Sequence, residues 1–261
     1  MSKVRPKKNL GQHFLKDEGI AGRIASSLTG EGYDSVLEVG PGMGILTAYL
    51  VKRSFADFRV VEIDPESIDY LKTRFPDFSG IMEADFLNLD LDSVFTSSMA
   101  VIGNFPYNIS SQIFFRILKY RDLVTEVCGM LQKEVAERIC AGPGSRTYGI
   151  LSVFLQAYYS TEYLFTVSEN VFVPVPRVKS GVIRLRRNSV NKLACDEKLF
   201  VRVVKSCFNQ RRKTLRNSVR AAFRLTNEDY PDFGLRPEQL SVQGFIDLTN
   251  WIEDNSLPSL K

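Results

Sequence analysis

The sequence predicts an α/β fold: a seven-stranded, mostly parallel sheet flanked by helices, followed by a small all-α domain. Short apolar runs alternate with helical patterns from residue 34 to residue 140. Two further apolar runs, 161–167 and 181–186, have the pattern of a closing pair of strands, and the chain beyond residue 191 is helical in pattern. At 261 residues the chain is long enough for one large and one small domain.

Changes in composition predict three parts along the chain. Residues 1–9 are basic without apolar periodicity, and we expect a flexible arm there. The sheet domain then covers residues 10–188, and the helical domain covers residues 189–261, because 188–191 is polar and turn-like.

The composition, 44% apolar and 25% charged, is typical of a soluble globular protein. No apolar run reaches the roughly 18 residues of a membrane span, and the N-terminus lacks the apolar segment of a secretory signal. The four cysteines show no CxxC spacing, and the chain has a single histidine. We therefore expect a cytoplasmic protein with reduced thiols, no membrane contact, no metal site and no histidine-based triad.

The first predicted strand runs into a glycine-rich turn, Gly40-x-Gly42-x-Gly44, at the start of a helix. A second strand ends about twenty residues later in acids, where ribose hydroxyls are commonly bound. The spacing is neither that of dinucleotide-binding turns nor that of a P-loop. It therefore favours a nucleoside cofactor without a pyrophosphate, with Glu62 on the ribose and Asp64 capping the next helix.

Two more predicted strands end in polar side chains. Asp85 follows the third strand, where it is either a ligand for an adenine amino group or a solvated loop acid, and spacing alone favours neither. The fourth strand, from Met99, ends in Asn104-Phe105-Pro106-Tyr107. A carboxamide, a proline and an aromatic ring at this edge of a sheet suit a flat ring that carries an amine.

Two residues have competing interpretations. Phe172, held in an extended loop by Pro174 and Pro176, is either a core anchor or a ring that faces Tyr107 across the pocket. His13 is most simply a polar residue satisfied in a turn.

Positive charge is concentrated in residues 202–224, which carry eight Lys/Arg and no Asp/Glu. Residues 225–261 carry seven Asp/Glu against two Lys/Arg. Arginines recur every four residues from Arg212 to Arg224 along a predicted helix, with no alternating acids to pair them. This pattern favours a polyanion-binding surface, and arginine forks suit phosphates.

Five motifs in order give the chain a strong resemblance to the adenine-N6 dimethyltransferases of ribosomal RNA, and within them to the bacterial small-subunit enzymes. The motifs are Asn9–Leu15, Glu38–Gly44, Gly103–Ser110, Phe172–Val178 and Phe208–Thr214. The resemblance implies a Rossmann-like class I methyltransferase fold and S-adenosylmethionine as methyl donor. It implies a cofactor site formed by His13, Leu15, Gly40, Gly42, Glu62, Asp85 and Asn104.

The resemblance also locates the chemistry. The Asn104 side-chain oxygen and the Phe105 carbonyl would accept the two N–H groups of the adenine amine, which favours a pyramidal nitrogen. Pro106 would fix the backbone, and Tyr107 would stack on the base with Phe172 as a second face. Phe105 stands where family members often have leucine, and little effect is expected because the backbone carbonyl acts.

The implied substrate is 16S rRNA in the pre-30S subunit, dimethylated late in assembly at two adjacent adenosines of the 3′-terminal hairpin loop. We expect a monomer that grips rRNA through Arg211, Arg212, Lys213, Arg216, Arg220 and Arg224. Three alternatives stay open at this point. They are a large-subunit rRNA adenine methyltransferase, an assembly checkpoint factor whose binding matters more than catalysis, and a DNA adenine methyltransferase, which Phe105 and the lack of a separate recognition domain disfavour.

Overall fold

A computed structural model describes residues 4–257. Its strands are β1 (Phe14–Leu15), β2 (Ser35–Val39), β3 (Asp57–Glu62), β4 (Ile81–Glu83), β5 (Met99–Asn104), β6 (Val124–Gln132), β7 (Tyr159–Val167), β8 (Phe172–Val173) and β9 (Ser180–Arg187). Its α-helices are α1 (Glu18–Ser26), α2 (Thr47–Leu50), α3 (Pro65–Arg74), α4 (Leu91–Val94), α5 (Ser110–Lys119), α6 (Lys133–Cys140), α7 (Ile150–Gln156), α8 (Glu197–Asn209), α9 (Leu215–Ala222) and α10 (Val242–Asp254).

Seven strands form one sheet in the order β4-β3-β2-β5-β6-β9-β7. The pairs from β4 to β6 are parallel, and β9 is antiparallel to β6. All five residues of β2 are buried, as expected for a central strand covered on both faces. The predicted α/β fold with a mostly parallel seven-stranded sheet is therefore confirmed.

The strand order reverses at β2, which has β3 on one side and β5 on the other. In open parallel sheets, ligands bind beyond the carboxyl ends of the strands at such a switch point. Gly40, Glu62 and Asn104 stand at the ends of β2, β3 and β5, so this topology places them at one edge of the sheet.

A second, two-stranded sheet joins β1 to β8, with Leu15 opposite Phe172. The segment before it is not a free arm over residues 4–9: Val4 is buried, and the Arg5 N–H donates to Glu66 Oε1 at 3.1 Å. The expected flexible arm is thus replaced by a segment packed on the sheet domain. Residues 1–3 lie outside the described range.

The chain divides into two compact units. The first contains residues 4–137 and 160–187, and the second contains residues 138–159 and 188–257. The sequence-based boundary leaves 138–159 in the sheet domain, whereas the contacts place this stretch in the helical unit. The reason is packing: the ring of Tyr148 lies 6.3 Å from that of Phe208, and Phe154 lies 6.1 Å from Phe200.

Within the second unit, the basic segment is interrupted. The helix α8 ends at Asn209, a turn follows, and α9 begins after its N-cap, Thr214. Leu215 and Val219 are fully buried, which fixes the inner face of α9. The arginine repeat is therefore not one helical stripe, since Arg212 precedes α9 and Arg224 follows it.

Candidate active site

A cavity of about 280 Å³ opens at the carboxyl edge of β2, β3 and β5. All seven residues expected at the cofactor line it: His13, Leu15, Gly40, Gly42, Glu62, Asp85 and Asn104. It is also lined by Phe105, Pro106 and Tyr107. The structure thus brings the predicted cofactor residues and four of the five predicted catalytic residues into one site, over a span of 94 residues from His13 to Tyr107.

The glycine-rich turn forms one wall of this cavity. Gly40 and Gly42 have φ values of +67° and +54°, which side chains with a Cβ rarely adopt. A Cβ on Gly42 would lie 2.8 Å from the Phe14 ring. Glycine is therefore required there both by backbone conformation and by space, and the turn presents bare backbone to the cavity.

The Glu62 carboxylate is buried at the end of β3 and held by backbone donors. Its Oε1 accepts from the N–H groups of Ile63 at 2.9 Å and Asp64 at 3.0 Å, and its Oε2 accepts from Gly42 at 3.1 Å. Burial raises the pKa of Glu62, and these N–H donors act against that rise. The carboxylate is thus tied to the glycine turn and keeps acceptor capacity for a ligand hydroxyl.

Asp85 lies at the cavity wall with local partners. Its carboxylate accepts from the Leu87 N–H at 2.9 Å and from Asn88 Nδ2 at 2.6 Å. The side chain therefore shapes its own turn while it lines the cavity, so the two interpretations of Asp85 from the sequence are compatible in the fold.

Asn104 is oriented by the N-terminal segment. Its Nδ2 donates to the His13 carbonyl at 2.9 Å, and this bond leaves the side-chain oxygen as an acceptor. The next residue, Phe105, donates its N–H to the Met130 carbonyl at 2.9 Å and buries its ring against Phe114. Both groups are thus held in position by hydrogen bonds within the protein.

Tyr107 is held between two neighbours. Its hydroxyl lies 2.6 Å from Ser180 Oγ, and its ring stacks on His13 with centroids 5.3 Å apart. The His13 ring is itself fixed, since Nδ1–H donates to the Pro174 carbonyl at 2.8 Å. His13 therefore supports the aromatic platform in addition to lining the cavity, a contact that the sequence did not predict.

Phe172 is not where the functional interpretation expects it. The ring is fully buried in the apolar core of the first unit and does not line the cavity. Phe172 pairs with Leu15 between β8 and β1, and its side chain points into the core of the first unit. The alternative interpretation, a core anchor, describes its position in this structure.

Sequence reasoning assigned no role to Glu38, although it lies in a quoted motif. The side chain is buried on β2, lines the cavity and accepts from Thr47 Oγ1 at 2.7 Å. Burial raises the pKa of Glu38 to about 8. The sequence feature that could have indicated Glu38 is an acidic residue within an otherwise apolar central strand, just before the glycine-rich turn.

The raised pKa of Glu38 predicts a pH-dependent stability. The Glu38 carboxyl has a pKa of 4.5 in the unfolded chain and about 8 in the folded protein. Between these pH values the folded state therefore binds one proton more than the unfolded state. The contribution of this proton to the free energy of unfolding is complete at low pH, and it is lost as the pH rises through the folded-state pKa of Glu38. The Tm of Glu38→Gln relative to the unmodified protein should therefore increase between about pH 5 and about pH 9.

Thermal unfolding at several pH values measures this difference. Glu83→Gln, which removes an exposed carboxylate on β4, controls for the loss of one charge. A Tm difference for Glu38→Gln that follows the control at every pH would contradict the prediction.

In the second unit, three of the six predicted RNA-binding residues have partners. Arg211 donates to the Arg146 carbonyl and lies 3.8 Å from Glu238 Oε2. Arg216 Nη1 donates to the Glu228 carbonyl at 3.1 Å, and Arg220 Nε lies 3.2 Å from Glu228 Oε1. The expectation that no acid pairs with the repeated arginines is therefore wrong for Arg220, because Glu228 of the acidic C-terminal segment lies against it. The contact of Arg216 is to a backbone carbonyl, and Arg211 lies outside the repeat.

The other three side chains, Arg212, Lys213 and Arg224, are exposed and form no ion pair within residues 4–257. Over the same residues no group of three or more His, Cys, Asp or Glu side chains is arranged to hold a metal ion. In the described part of the chain, every helix is too short or too polar to cross a membrane.

Comparison with known proteins identifies the family. The model of the ribosomal RNA adenine dimethylase family matches residues 3–254. The chain belongs to this family. It is an S-adenosylmethionine-dependent rRNA adenine dimethyltransferase.

Relatives in this family match over almost the whole chain. The chain is 58% identical to ribosomal RNA small subunit methyltransferase A of Parabacteroides distasonis, with 95% of this chain and 94% of that protein covered. It is 56% identical to the protein of the same name from Flavobacterium johnsoniae, with 99% and 100% covered.

Two solved structures share the fold. A dimethyladenosine transferase from Plasmodium falciparum has a TM-score of 0.75 at 22% identity, covering 94% of this chain and 99% of that one. The 23S rRNA methyltransferase ErmE has a TM-score of 0.67 at 25% identity, covering 91% and 99%. These likenesses agree with the class I methyltransferase fold expected from the sequence.

Proposed function

We propose that this enzyme dimethylates the N6 amines of two adjacent adenosines in the 3′-terminal hairpin loop of 16S rRNA. The substrate is the pre-30S subunit, late in its assembly in the cytoplasm, and the enzyme acts as a monomer. The relatives named small subunit methyltransferase A support the choice of rRNA. The observation that carries the chemistry is the Asn104 carboxamide, oriented by the His13 carbonyl at the cavity edge.

The lining residues fit the methyl donor. When bound, S-adenosylmethionine supplies a methyl group on a sulfonium, which is strongly electrophilic. Glu62 would hold the ribose hydroxyls with its remaining lone pairs, and the bare backbone of Gly40 and Gly42 allows close approach. Asp85 would receive the adenine amino group at the rim, and His13 with Leu15 would close the cavity from the N-terminal side.

The target amine needs help because its lone pair is delocalised into the adenine ring. The Asn104 oxygen and the Phe105 carbonyl would accept its two N–H bonds, which favours a pyramidal nitrogen whose lone pair points at the methyl group. Pro106 restricts the backbone at this step. Most of the catalysis is then alignment of two reactants by groups already in place.

Tyr107 would provide the stacking surface for the base, which must leave its loop to enter the cavity. One face of this ring is covered by His13, so the base would use the other face. The methylated ammonium loses its proton readily to water, so the chemistry requires no general base.

Methyl transfer from labelled S-adenosylmethionine to undermethylated 30S particles tests the proposal, followed by mapping of the labelled nucleotides. Label should appear in the 3′-terminal hairpin of 16S rRNA and be absent from 50S particles. Label in the 50S particle would support the large-subunit alternative suggested by the likeness to ErmE. Absence of label from the 3′ hairpin would overturn the proposal.

The six side chains expected to bind RNA differ in whether they have a hydrogen-bond or ion-pair partner within residues 4–257. We propose that Arg212, Lys213 and Arg224 carry most of the phosphate contacts, because Arg211, Arg216 and Arg220 already have partners. Arg212→Ala combined with Lys213→Ala should reduce the slope of log affinity against log salt by about 1.5. Titrations of enzyme against 30S particles over a range of salt concentrations measure that slope.

A charge-matched control keeps this test specific. Lys52→Ala with Lys72→Ala removes two exposed lysines of the sheet unit and should leave the slope unchanged. Equal slopes for the two double variants would contradict the assignment.

A further inference from the structure

The N-terminal strap, residues 4–13, is tied to the sheet unit through Asp64. This side chain is fully buried, forms an ion pair with Lys7 Nζ, and accepts from Gln12 Nε2 at 3.1 Å. Both donors lie more than fifty residues upstream. Sequence reasoning assigned Asp64 only a capping role, and the structure adds this long-range attachment.

Helix capping alone does not account for these contacts. The cap of α3 uses the Glu66 N–H at 3.2 Å from Oδ1, and Ser67 Oγ lies 3.2 Å from Oδ2. Burial alone would raise the pKa of Asp64, but the bonds from Lys7, Gln12 and Ser67 outweigh it and lower the pKa. The carboxylate therefore stays charged under the strap.

The strap also has an internal hydrogen bond and a second close contact with the sheet unit. The Lys7 N–H donates to Gln12 Oε1 at 2.8 Å, so the two residues that reach Asp64 also hold each other. Gly11 adopts φ +64°, and a Cβ there would collide with the Asn108 side chain. Residues 9–13 line the cavity, so the strap forms its wall on this side.

We propose that Asp64 is a positioning residue for the methyl donor, acting through Lys7 and Gln12 to hold the strap over the cofactor cavity. The strap also carries the His13 carbonyl that orients Asn104, but β1 pairing with β8 anchors that end independently. Loosening the Lys7 end should therefore weaken cofactor binding more than it slows transfer at saturating cofactor.

Lys7→Ala tests this without touching the cap of α3. Calorimetric titration with S-adenosylhomocysteine should show about tenfold weaker binding, because the strap must then be ordered on binding. The KM for S-adenosylmethionine should rise similarly, with kcat within about twofold. Lys7→Arg should restore binding.

Lys8→Ala is the matched control, since it removes an exposed neighbouring charge that has no side-chain partner within the described residues. Lys7→Ala and Asp64→Asn should also be non-additive for S-adenosylhomocysteine affinity, and asparagine retains the cap. The inference would be overturned if Lys7→Ala and Lys8→Ala bound S-adenosylhomocysteine equally well. It would also be overturned if the affinity losses of Lys7→Ala and Asp64→Asn were additive. The binding readout involves no RNA, so its failure is distinct from failure of the proposed rRNA target.

Discussion

Asn104→Ala should lower kcat for methyl transfer by about 10²–10³-fold, the effect seen when one preorganised polar group is removed from a reacting centre. The variant loses the side-chain acceptor that would take one amine N–H. Its folding should be little affected, because the lost bond to the His13 carbonyl lies at the cavity edge.

Single-turnover transfer to undermethylated 30S particles measures this loss, with binding of 30S followed in parallel. Asn170→Ala, which removes an exposed carboxamide from the same unit, should retain full activity. Loss of 30S binding in proportion to activity would show that Asn104 acts through binding. If cells carrying the inactive variant still mature their small subunits normally, the checkpoint alternative gains support.

Gly129→Ala is expected to destabilise the sheet unit by about 1–3 kcal/mol through overpacking. Gly129 lies on β6 opposite Gly103, and a Cβ there would lie 2.7 Å from Phe105 Cδ2 and closer still to Cε2. The Phe105 ring is 1% exposed and packed against Phe114, so it cannot move towards solvent. Displacement of Phe105 would also shift its backbone carbonyl, next to Asn104. The kcat of the folded variant should therefore be lower than that of the unmodified protein.

Thermal unfolding and kcat at a temperature where the variant is folded separate the two effects. Gly142→Ala is the control, because an added Cβ there meets nothing within 4 Å. Phe105→Leu introduced with Gly129→Ala should recover part of the lost stability, since the shorter side chain vacates the crowded space. A Gly129→Ala variant with the original Tm and kcat would contradict the packing argument.

The cavity could be predicted from the sequence because its parts follow strand ends. Gly40, Glu62 and Asn104 each come directly after an apolar run, and parallel strands bring their carboxyl ends to one edge. The motif resemblance then added His13 and Leu15, which no periodicity could place. The fold class required only the alternation of strands and helices.

The differences between the sequence-based expectations and the structure share another cause, which is contacts between residues distant in sequence. Phe172 is buried because β8 pairs with β1, and Arg220 is paired because Glu228 folds back onto α9. Tyr148 belongs to the helical unit because its ring meets Phe208. None of these partners follows from local spacing, so a local pattern predicts the element but not its neighbour.

The pairing of β1 with β8 also sets when the site can first exist. Leu15 lines the cavity and pairs with Phe172, so the strand that carries this wall residue is anchored by chain made 157 residues later. Contacts this distant in sequence close a long loop, which costs conformational entropy and slows folding. During synthesis, the cofactor cavity therefore cannot be complete until the segment beyond β7 has left the ribosome. The complete cavity therefore needs nearly all of the first unit to be available for folding.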